Sequence, residues 1–180
     1  MDVLTFSNKT KKEADELLTL GKVKDVLSKY GEVVITGSYK YNLMYGPDID
    51  LVVLTEDPDE SAEKALFEFV QNRNFQKYQF GDFNKFPREN RPRSYIVVLI
   101  HEYEGRRWEI EIWFGKEKLQ GDVDEELDNL LMNVTDKQKE KILQLKHQRK
   151  TSNKTKHHLD SPTIYRGVLQ ENKVGIDQFD

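Results

Sequence analysis

The chain has 180 residues, with 32 acidic and 28 basic side chains, a formal net charge of -4 and no cysteine. Disulfides, thiolate metal sites and cysteine nucleophiles are therefore excluded, and a reducing interior is compatible with the sequence. The negative charge disfavours a protein that coats nucleic acid, because such binding depends on neutralising phosphates. The N-terminus lacks the pattern of a secretory signal and no apolar run is long enough to cross a membrane, so we expect a cytoplasmic protein.

Two helices are predicted at the N-terminal end of the chain. Thr10, followed three residues later by Glu13, has the pattern of a capping box that opens a first helix. Gly21 interrupts this helix, and apolar residues at helical spacing predict a second one over residues 23–30. Gly31 ends the second helix and leads into an apolar strand.

Five runs of residues are typical of β-strands, and one amphipathic helix over residues 62–70 separates the second from the third. The predicted strands are residues 32–36, 49–54, 77–80, 95–103 and 107–114. Residues 104–106 form a turn that joins the last two strands into an antiparallel hairpin. Residues 75–93 are aromatic and polar, and long loops of this kind often form part of a substrate site.

The C-terminal third of the chain is predicted to be helical. Residues 122–132 form one helix, and Thr135 with Gln138 makes a capping box for another that extends to about residue 149. A polar loop over residues 151–160 precedes a last helix, which Ser161 and Pro162 open, and residues 176–180 indicate a further helix start. We therefore expect a core of residues 1–116 and a helical segment of residues 117–180 that packs on it.

The most informative stretch is residues 33–53, VVITGSYKYNLMYGPDIDLVV. Alternation along the second strand directs Asp48 and Asp50 to the same face. Two adjacent carboxylates repel each other, and a hard divalent cation such as Mg²⁺, which prefers oxygen ligands, would relieve that repulsion. A solvated polar face at a strand end is the usual explanation of a lone Asp-x-Asp pattern.

The residues before the two aspartates make the pattern more specific. Gly37 and Ser38 follow an apolar strand and precede a short segment with helical potential, residues 39–44. Glycine permits close backbone approach, the serine hydroxyl can bond a phosphate oxygen, and a helix start offers free N–H groups. Nine residues separate this pair from Asp48.

A third acid is expected in the strand WEIEIWF, residues 108–114. Alternation places Glu109 and Glu111 on one face and apolar side chains on the other. An amphipathic strand with a wet outer face is the alternative explanation, and it fits Glu109 well. Glu111 lies farther from the hairpin turn, and we prefer it as the third acid.

The combination GS…DID…EIEIWF resembles the DNA polymerase beta-type nucleotidyltransferase superfamily. The segments KILQLK and SPTIYRGVLQENKVGIDQF extend the resemblance, more loosely, to a bacterial family of small nucleotidyltransferase-domain proteins. The resemblance implies an α/β fold with a small mixed sheet, helices on one face and further C-terminal helices. It also implies that Gly37 and Ser38 anchor the phosphates of a nucleotide, and that Asp48, Asp50 and Glu111 form a metal-binding triad.

The sequence departs from the family at the third acid, where aspartate is more common than glutamate. The extra methylene leaves the register open, so Glu109 remains an alternative to Glu111. The resemblance further implies two Mg²⁺ ions, with Mn²⁺ as a substitute, and transfer of a nucleoside monophosphate from ATP or another triphosphate to an acceptor hydroxyl, releasing pyrophosphate.

Acceptors in the superfamily include aminoglycoside or lincosamide antibiotics, protein side chains and nucleic-acid 3′ ends. Because the chain lacks a strongly basic surface overall, a long nucleic acid is the least expected of these. A non-catalytic or antitoxin-like protein that binds nucleotide and acts through a protein partner is the alternative function. The intact Gly-Ser pair and three acids favour an enzyme over a degenerate site.

One predicted helix adds two basic residues to the candidate nucleotide site. Projection at helical spacing places Lys146 and Arg149 on the same side as Ile142 and Leu145. Basic residues on the inward side of a helix can reach the β- and γ-phosphates of a nucleotide. In the alternative interpretation, their aliphatic stems cover apolar surface while the charges extend to solvent.

Overall fold

The computed structural model describes residues 2–89, 91–117, 125–151 and 159–179. Within these ranges the strands are β1 (Glu32–Ile35), β2 (Asp48–Leu54), β3 (Lys77–Asp82), β4 (Tyr95–Tyr103) and β5 (Arg106–Gly115). The helices are α1 (Val3–Leu20), α2 (Val23–Leu27), α3 (Gly37–Lys40), α4 (Pro58–Asn72), α5 (Glu125–Met132), α6 (Asp136–Thr151) and α7 (Ser161–Leu169), followed by a 3₁₀ turn (Ile176–Gln178).

The strands form one mixed sheet in the order β1-β2-β5-β4-β3. Strands β2 and β5 are parallel, and the other three pairings are antiparallel. Side chains from α1, α2 and α4 pack on one face of this sheet and enclose the main hydrophobic core, which includes Leu17, Leu27, Phe69, Leu51, Val97, Ile110 and Ile112. The α/β class, with a small mixed sheet and helices on one face, is therefore confirmed.

The C-terminal helices build a second hydrophobic cluster. Side chains of α5, α6 and α7 pack there against Tyr41 and Leu43, which lie between α3 and β2. Helix α6 also contacts α1. This packing places α6 beside the segment that leads into the two aspartates, while the boundary between residues 116 and 117 stays a prediction.

Helix α1 begins earlier than the capping-box pattern predicts. Its N-cap is Asp2, whose carboxylate accepts a hydrogen bond from the Leu4 amide at 3.1 Å. Thr10 and Glu13 are buried inside α1, where they hold the guanidinium of Arg106 on β5 at 3.0 and 2.8 Å. Two residues spaced three apart also lie on the same face of a helix. The Thr10–Glu13 spacing, which resembles a capping box, therefore places both side chains where they can bind Arg106.

The other predicted elements are present with shifted ends, and each strand end lies within two residues of its prediction. The last helix is capped by Asp160, one residue before the predicted Ser161, and its carboxylate accepts from the Thr163 amide at 2.8 Å. Helix α3 begins at Gly37, ahead of the predicted segment. The predictions on residues 122–124 and 152–158 lie outside the described residues. Within the described ranges, no helix has both the length and the apolarity needed to cross a membrane.

The buried contact between Glu13 and Arg106 gives a test of how α1 is held on the sheet. Glu13→Ala leaves the guanidinium without its main partner, and we expect the free energy of unfolding to fall by about 2 kcal/mol. Chemical denaturation measures this change. Lys12→Ala on the same helix is the control, since Lys12 is exposed and its ion pair among the described residues is with half-exposed Glu16. Equal stabilities of the two variants would contradict the structural role of Glu13.

Candidate active site

Two parallel strands bring four carboxylates to one face of the sheet. The register of β2 and β5 pairs Asp48 with Glu109 and Asp50 with Glu111. Paired residues of neighbouring strands point to the same face, and the helices cover the opposite one. The acids therefore line the face that α1, α2 and α4 leave uncovered.

Asp50 is the carboxylate most affected by its surroundings. Burial, together with the nearby charges of Asp48 and Glu111, raises its pKa to about 7. Arg91 and Lys146 act in the opposite direction. Since each neighbouring acid makes ionisation of Asp50 more costly, a bound cation would stabilise the charged form.

Two glycines lie against the aspartates. Gly37 has a φ of +63°, and a Cβ atom built on it would lie 2.1 Å from Oδ2 of Asp50. A Cβ atom on Gly46 would lie 2.1 Å from Oδ1 of Asp48. Each carboxylate thus occupies space that only a glycine leaves open. Sequence reasoning selected Gly37, as a place where a phosphate can approach the backbone, and did not select Gly46. The position of Gly46 just before Pro47 and Asp48 is the sequence feature that could have indicated its contact with Asp48.

Ser38 lies beside Gly37 at the start of α3, at the mouth of the same turn. The turn is tied to β2 by Thr36, whose amide donates to the carbonyl oxygen of Asp50 at 3.1 Å. Ser38 is partly exposed, and its hydroxyl makes no hydrogen bond to any of the described residues. The hydroxyl therefore has its hydrogen-bonding capacity unused by the described residues.

The two glutamates of β5 have different neighbours. Glu111 lies opposite Asp50, contributes to its raised pKa, and is 3.5 Å from the Arg91 guanidinium. Glu109 lies opposite Asp48 and pairs with Arg107 of its own strand at 2.9 Å. The structure therefore brings Glu111, rather than Glu109, next to the buried aspartate.

The carboxylates do not form a ready-made metal cage. Among the described residues, no group of three or more His, Cys, Asp or Glu side chains is arranged to hold a metal ion. The chemistry of the donor set nevertheless fits a hard divalent cation, because the neighbouring groups are carboxylates, and their repulsion adds to the effect of burial in raising the pKa of Asp50.

Lys146 has an unusual environment on α6. Its side chain is buried, and its ammonium donates to the Leu43 carbonyl and to the Tyr165 hydroxyl, both at 2.8 Å. Burial lowers the pKa of Lys146 to about 7, while Asp48 and Asp50 act to raise it. The interpretation in which this charge extends to solvent does not fit a buried ammonium that interacts with both aspartates.

Arg149 is held one turn further along α6. Its guanidinium donates to the Leu159 carbonyl at 2.8 Å, just before α7, and its charge helps to lower the pKa of Lys146. Arg91 lies on the loop between β3 and β4. Sequence reasoning named this aromatic and polar loop as a candidate part of a substrate site, but it did not select Arg91 itself.

Comparison with known proteins places this geometry on a known fold. No protein-family model matches the chain, and no curated protein sequence matches it significantly. Among solved structures, the chain is similar to the RNA terminal uridylyl transferase Cid1, with a TM-score of 0.62 and 20% identity over 90% of this chain. It is also similar to the STING-associated CdnE c-di-GMP synthase from Capnocytophaga granulosa, with a TM-score of 0.59 and 15% identity over 91% of this chain.

The first of these proteins transfers uridylyl groups to RNA ends, and the second synthesises c-di-GMP. The chain has the nucleotidyltransferase fold. At these identities the comparison establishes the fold alone, and it confirms the resemblance seen in the sequence at that level. The chain spans about half of the Cid1 structure, 48% of its length, and 60% of the CdnE structure.

The raised pKa of Asp50 predicts a pH-dependent stability in protein free of divalent cations. The folded state keeps a proton that the unfolded chain loses above its ordinary pKa of 3.8. The share of the free energy of unfolding that is due to Asp50 is therefore lost as the pH rises from about 4 to about 7, and it is on the order of 4 kcal/mol. Denaturation at a series of pH values measures the free energy of unfolding. Asp50→Asn should remove the share due to Asp50 from this pH profile, whereas Asp57→Asn, at an exposed position, should keep the wild-type profile. Identical profiles for both variants would contradict the assignment.

The contact between Gly37 and Asp50 predicts a second effect on stability. Gly105 provides a matched control, because its φ is +69° but a Cβ atom there would meet nothing within 4 Å. Gly105→Ala should cost about 1 kcal/mol through backbone strain alone. Gly37→Ala should cost clearly more in the same denaturation experiment, since its methyl group also displaces the carboxylate. Equal costs would show that Asp50 does not rest on Gly37.

Proposed function

We propose that the protein is a magnesium-dependent nucleotidyltransferase that moves a nucleoside monophosphate from ATP to an acceptor hydroxyl, with release of pyrophosphate. The observation that carries the proposal is the parallel register of β2 and β5, which sets Asp50 opposite Glu111 beside the Gly37 turn. The nucleotidyltransferase fold gives this arrangement its functional context. A mutant of the Cid1 poly(U) polymerase bound to MgATP, similar to this chain with a TM-score of 0.51 and 22% identity, supports a magnesium-bound nucleoside triphosphate as the class of ligand.

Asp48, Asp50 and Glu111 are the residues proposed to hold the metal. Divalent cations bound by carboxylates supply charge neutralisation at the attacking and leaving oxygens of an in-line displacement. Glu111 is partly exposed on the open face, and we assign it the further role of accepting the proton of the acceptor hydroxyl. Glu109, paired with Arg107, is left outside this set.

The phosphates of the donor are proposed to lie against Gly37 and Ser38. Ser38 contributes a hydroxyl without a partner among the described residues, and Gly37 contributes backbone that a ligand can approach. An ammonium has three donors, and Lys146 uses two of them on Leu43 and Tyr165. The remaining donor and the Arg149 guanidinium provide positive charge for the β- and γ-phosphates.

Mg-ATP binding by variants of Asp50, Glu111 and Glu109 tests the proposal. Loss of a group that only hydrogen-bonds to a metal ligand typically lowers metal affinity about 10- to 100-fold. Asp50 and Glu111 are proposed to bind the metal directly, so Asp50→Asn and Glu111→Gln should weaken Mg-ATP binding by about 100-fold or more. Glu109→Gln should change it by less than about threefold, like the exposed control Glu102→Gln. Isothermal titration measures the affinities, and transfer of α-phosphate label from ATP to candidate acceptors measures the reaction.

Two results would overturn parts of this assignment. If Asp50→Asn bound Mg-ATP as tightly as the wild type, the proposed site would be wrong. If Glu109→Gln lost binding while Glu111→Gln kept it, Glu109 would be the third acid. Stable Mg-ATP binding by the wild type with no label transfer to any acceptor would favour a nucleotide-binding protein that acts through a partner.

A further inference from the structure

The loop between β3 and β4, residues 83–93, lies on the sheet face that carries the acids. The ring of Phe83 packs 5.6 Å from that of Trp113, two residues beyond Glu111 on β5. The Arg91 guanidinium lies 5.7 Å from the centre of the Trp113 ring and 3.5 Å from the Glu111 carboxylate. The loop therefore borders the candidate active site directly.

Both ends of this loop are fixed to the sheet. At its start, the Asp82 carboxylate accepts hydrogen bonds from the amides of Asn84 and Lys85 at 3.0 and 2.9 Å. At its end, buried Ser94 accepts at its carbonyl from the Phe83 amide at 2.9 Å, and its hydroxyl donates to the Phe114 carbonyl. The loop thus presents its side chains in a defined place beside the acids.

The loop carries a net positive charge, whereas the whole chain carries a net negative charge. Its eleven residues contain four basic side chains, Lys85, Arg88, Arg91 and Arg93, and one acid, Glu89. Among the described residues, no carboxylate lies within ion-pair distance of Lys85, Arg88 or Arg93, all of which are exposed. A local excess of three positive charges therefore borders the active face of a protein whose net charge is -4.

The same loop exposes aromatic and guanidinium planes. Phe86 is 66% exposed, with the Lys85 ammonium 5.5 Å from its ring centre. The Arg88 guanidinium lies 5.4 Å from the centre of the Phe83 ring. Exposed aromatic rings interspersed with cations are the features on which single-stranded nucleic acids bind, because bases stack on the rings and phosphates pair with the cations.

We propose that residues 83–89 and 91–93 form a binding surface for single-stranded nucleic acid, whose terminal hydroxyl is the acceptor of the transfer. The acceptor role rests on the proposed function, whereas the binding surface does not. A cationic aminoglycoside would be repelled by this loop, and a neutral hydroxyl compound would gain nothing from its charges. The net charge of the whole chain argues against coating of a long nucleic acid, but a short single-stranded segment needs only this local surface.

Fluorescence anisotropy with a labelled oligoribonucleotide of about 10 nucleotides, roughly one binding site, tests the surface without ATP or divalent cations. The loop variant combines Lys85→Ala, Arg88→Ala and Arg93→Ala. The matched control removes three exposed lysines from helices with Lys9→Ala, Lys12→Ala and Lys64→Ala. The loop variant should bind about tenfold more weakly at moderate salt, and the slope of log affinity against log salt should decrease by about 2. The control should retain the wild-type affinity.

Phe86→Ala separates a nucleic-acid surface from a general anion-binding surface. Loss of one stacked base should weaken binding at least about fivefold without changing the salt dependence. Equal affinities of the loop variant and its control would overturn the proposal. So would unchanged binding by Phe86→Ala, which would leave an anion-binding loop only.

The outcome is distinguishable from a failure of the proposed function. Asp50→Asn, which should lose Mg-ATP, lies outside the loop and should keep wild-type affinity for the oligoribonucleotide. Loop-dependent binding without any Mg-ATP binding would uphold the surface and refute the transferase. Mg-ATP binding without loop-dependent oligonucleotide binding would refute the surface and uphold the nucleotide site.

Discussion

The parallel pairing of β2 with β5 determines the candidate site, because it sets Asp50 opposite Glu111 although both are acids. The apolar residues that alternate with them hold this register. Ile49, Leu51, Ile110 and Ile112 are fully buried on the helix-covered face, and burial of each contributes about 2 kcal/mol. A slip of one residue would move the acids into the core, so hydrophobic packing on one face fixes mutually repelling charges on the other.

Cations from distant parts of the chain offset part of that repulsion. Lys146 comes from α6 and is held in the C-terminal cluster by its bonds to Leu43 and Tyr165. Arg91 comes from the loop between β3 and β4 and contacts Glu111. Both lower the pKa of Asp50. The carboxylates thus depend electrostatically on the packing of the C-terminal helices as well as on the sheet.

Sequence reasoning identified the strands and the face that carries the acids, because alternation and local turn signals are short-range properties. The fold followed from the resemblance of the combined motif to nucleotidyltransferases. Alternation assigns a face but not the pairing of two strands distant in sequence, which is why the sequence favoured Glu111 only by its distance from the hairpin turn and kept Glu109 as an alternative. The strand register adds that Glu111 lies opposite Asp50 and Glu109 opposite Asp48. The burial of Lys146 and the position of Arg91 depend on tertiary packing, which no local pattern encodes. Thr10 and Glu13 show the converse case, in which a local capping pattern serves a tertiary contact with Arg106.

The most direct test of the central claim is a crystal structure soaked with Mn²⁺ and a nonhydrolysable ATP analogue, with the metal located by its anomalous scattering. We expect the manganese signal between Asp48, Asp50 and Glu111, with the analogue's phosphates against Gly37 and Ser38 and Arg91 moved away from Glu111. A structure in which the analogue binds elsewhere, or in which manganese avoids Asp50 while Arg91 stays paired with Glu111, would contradict the account.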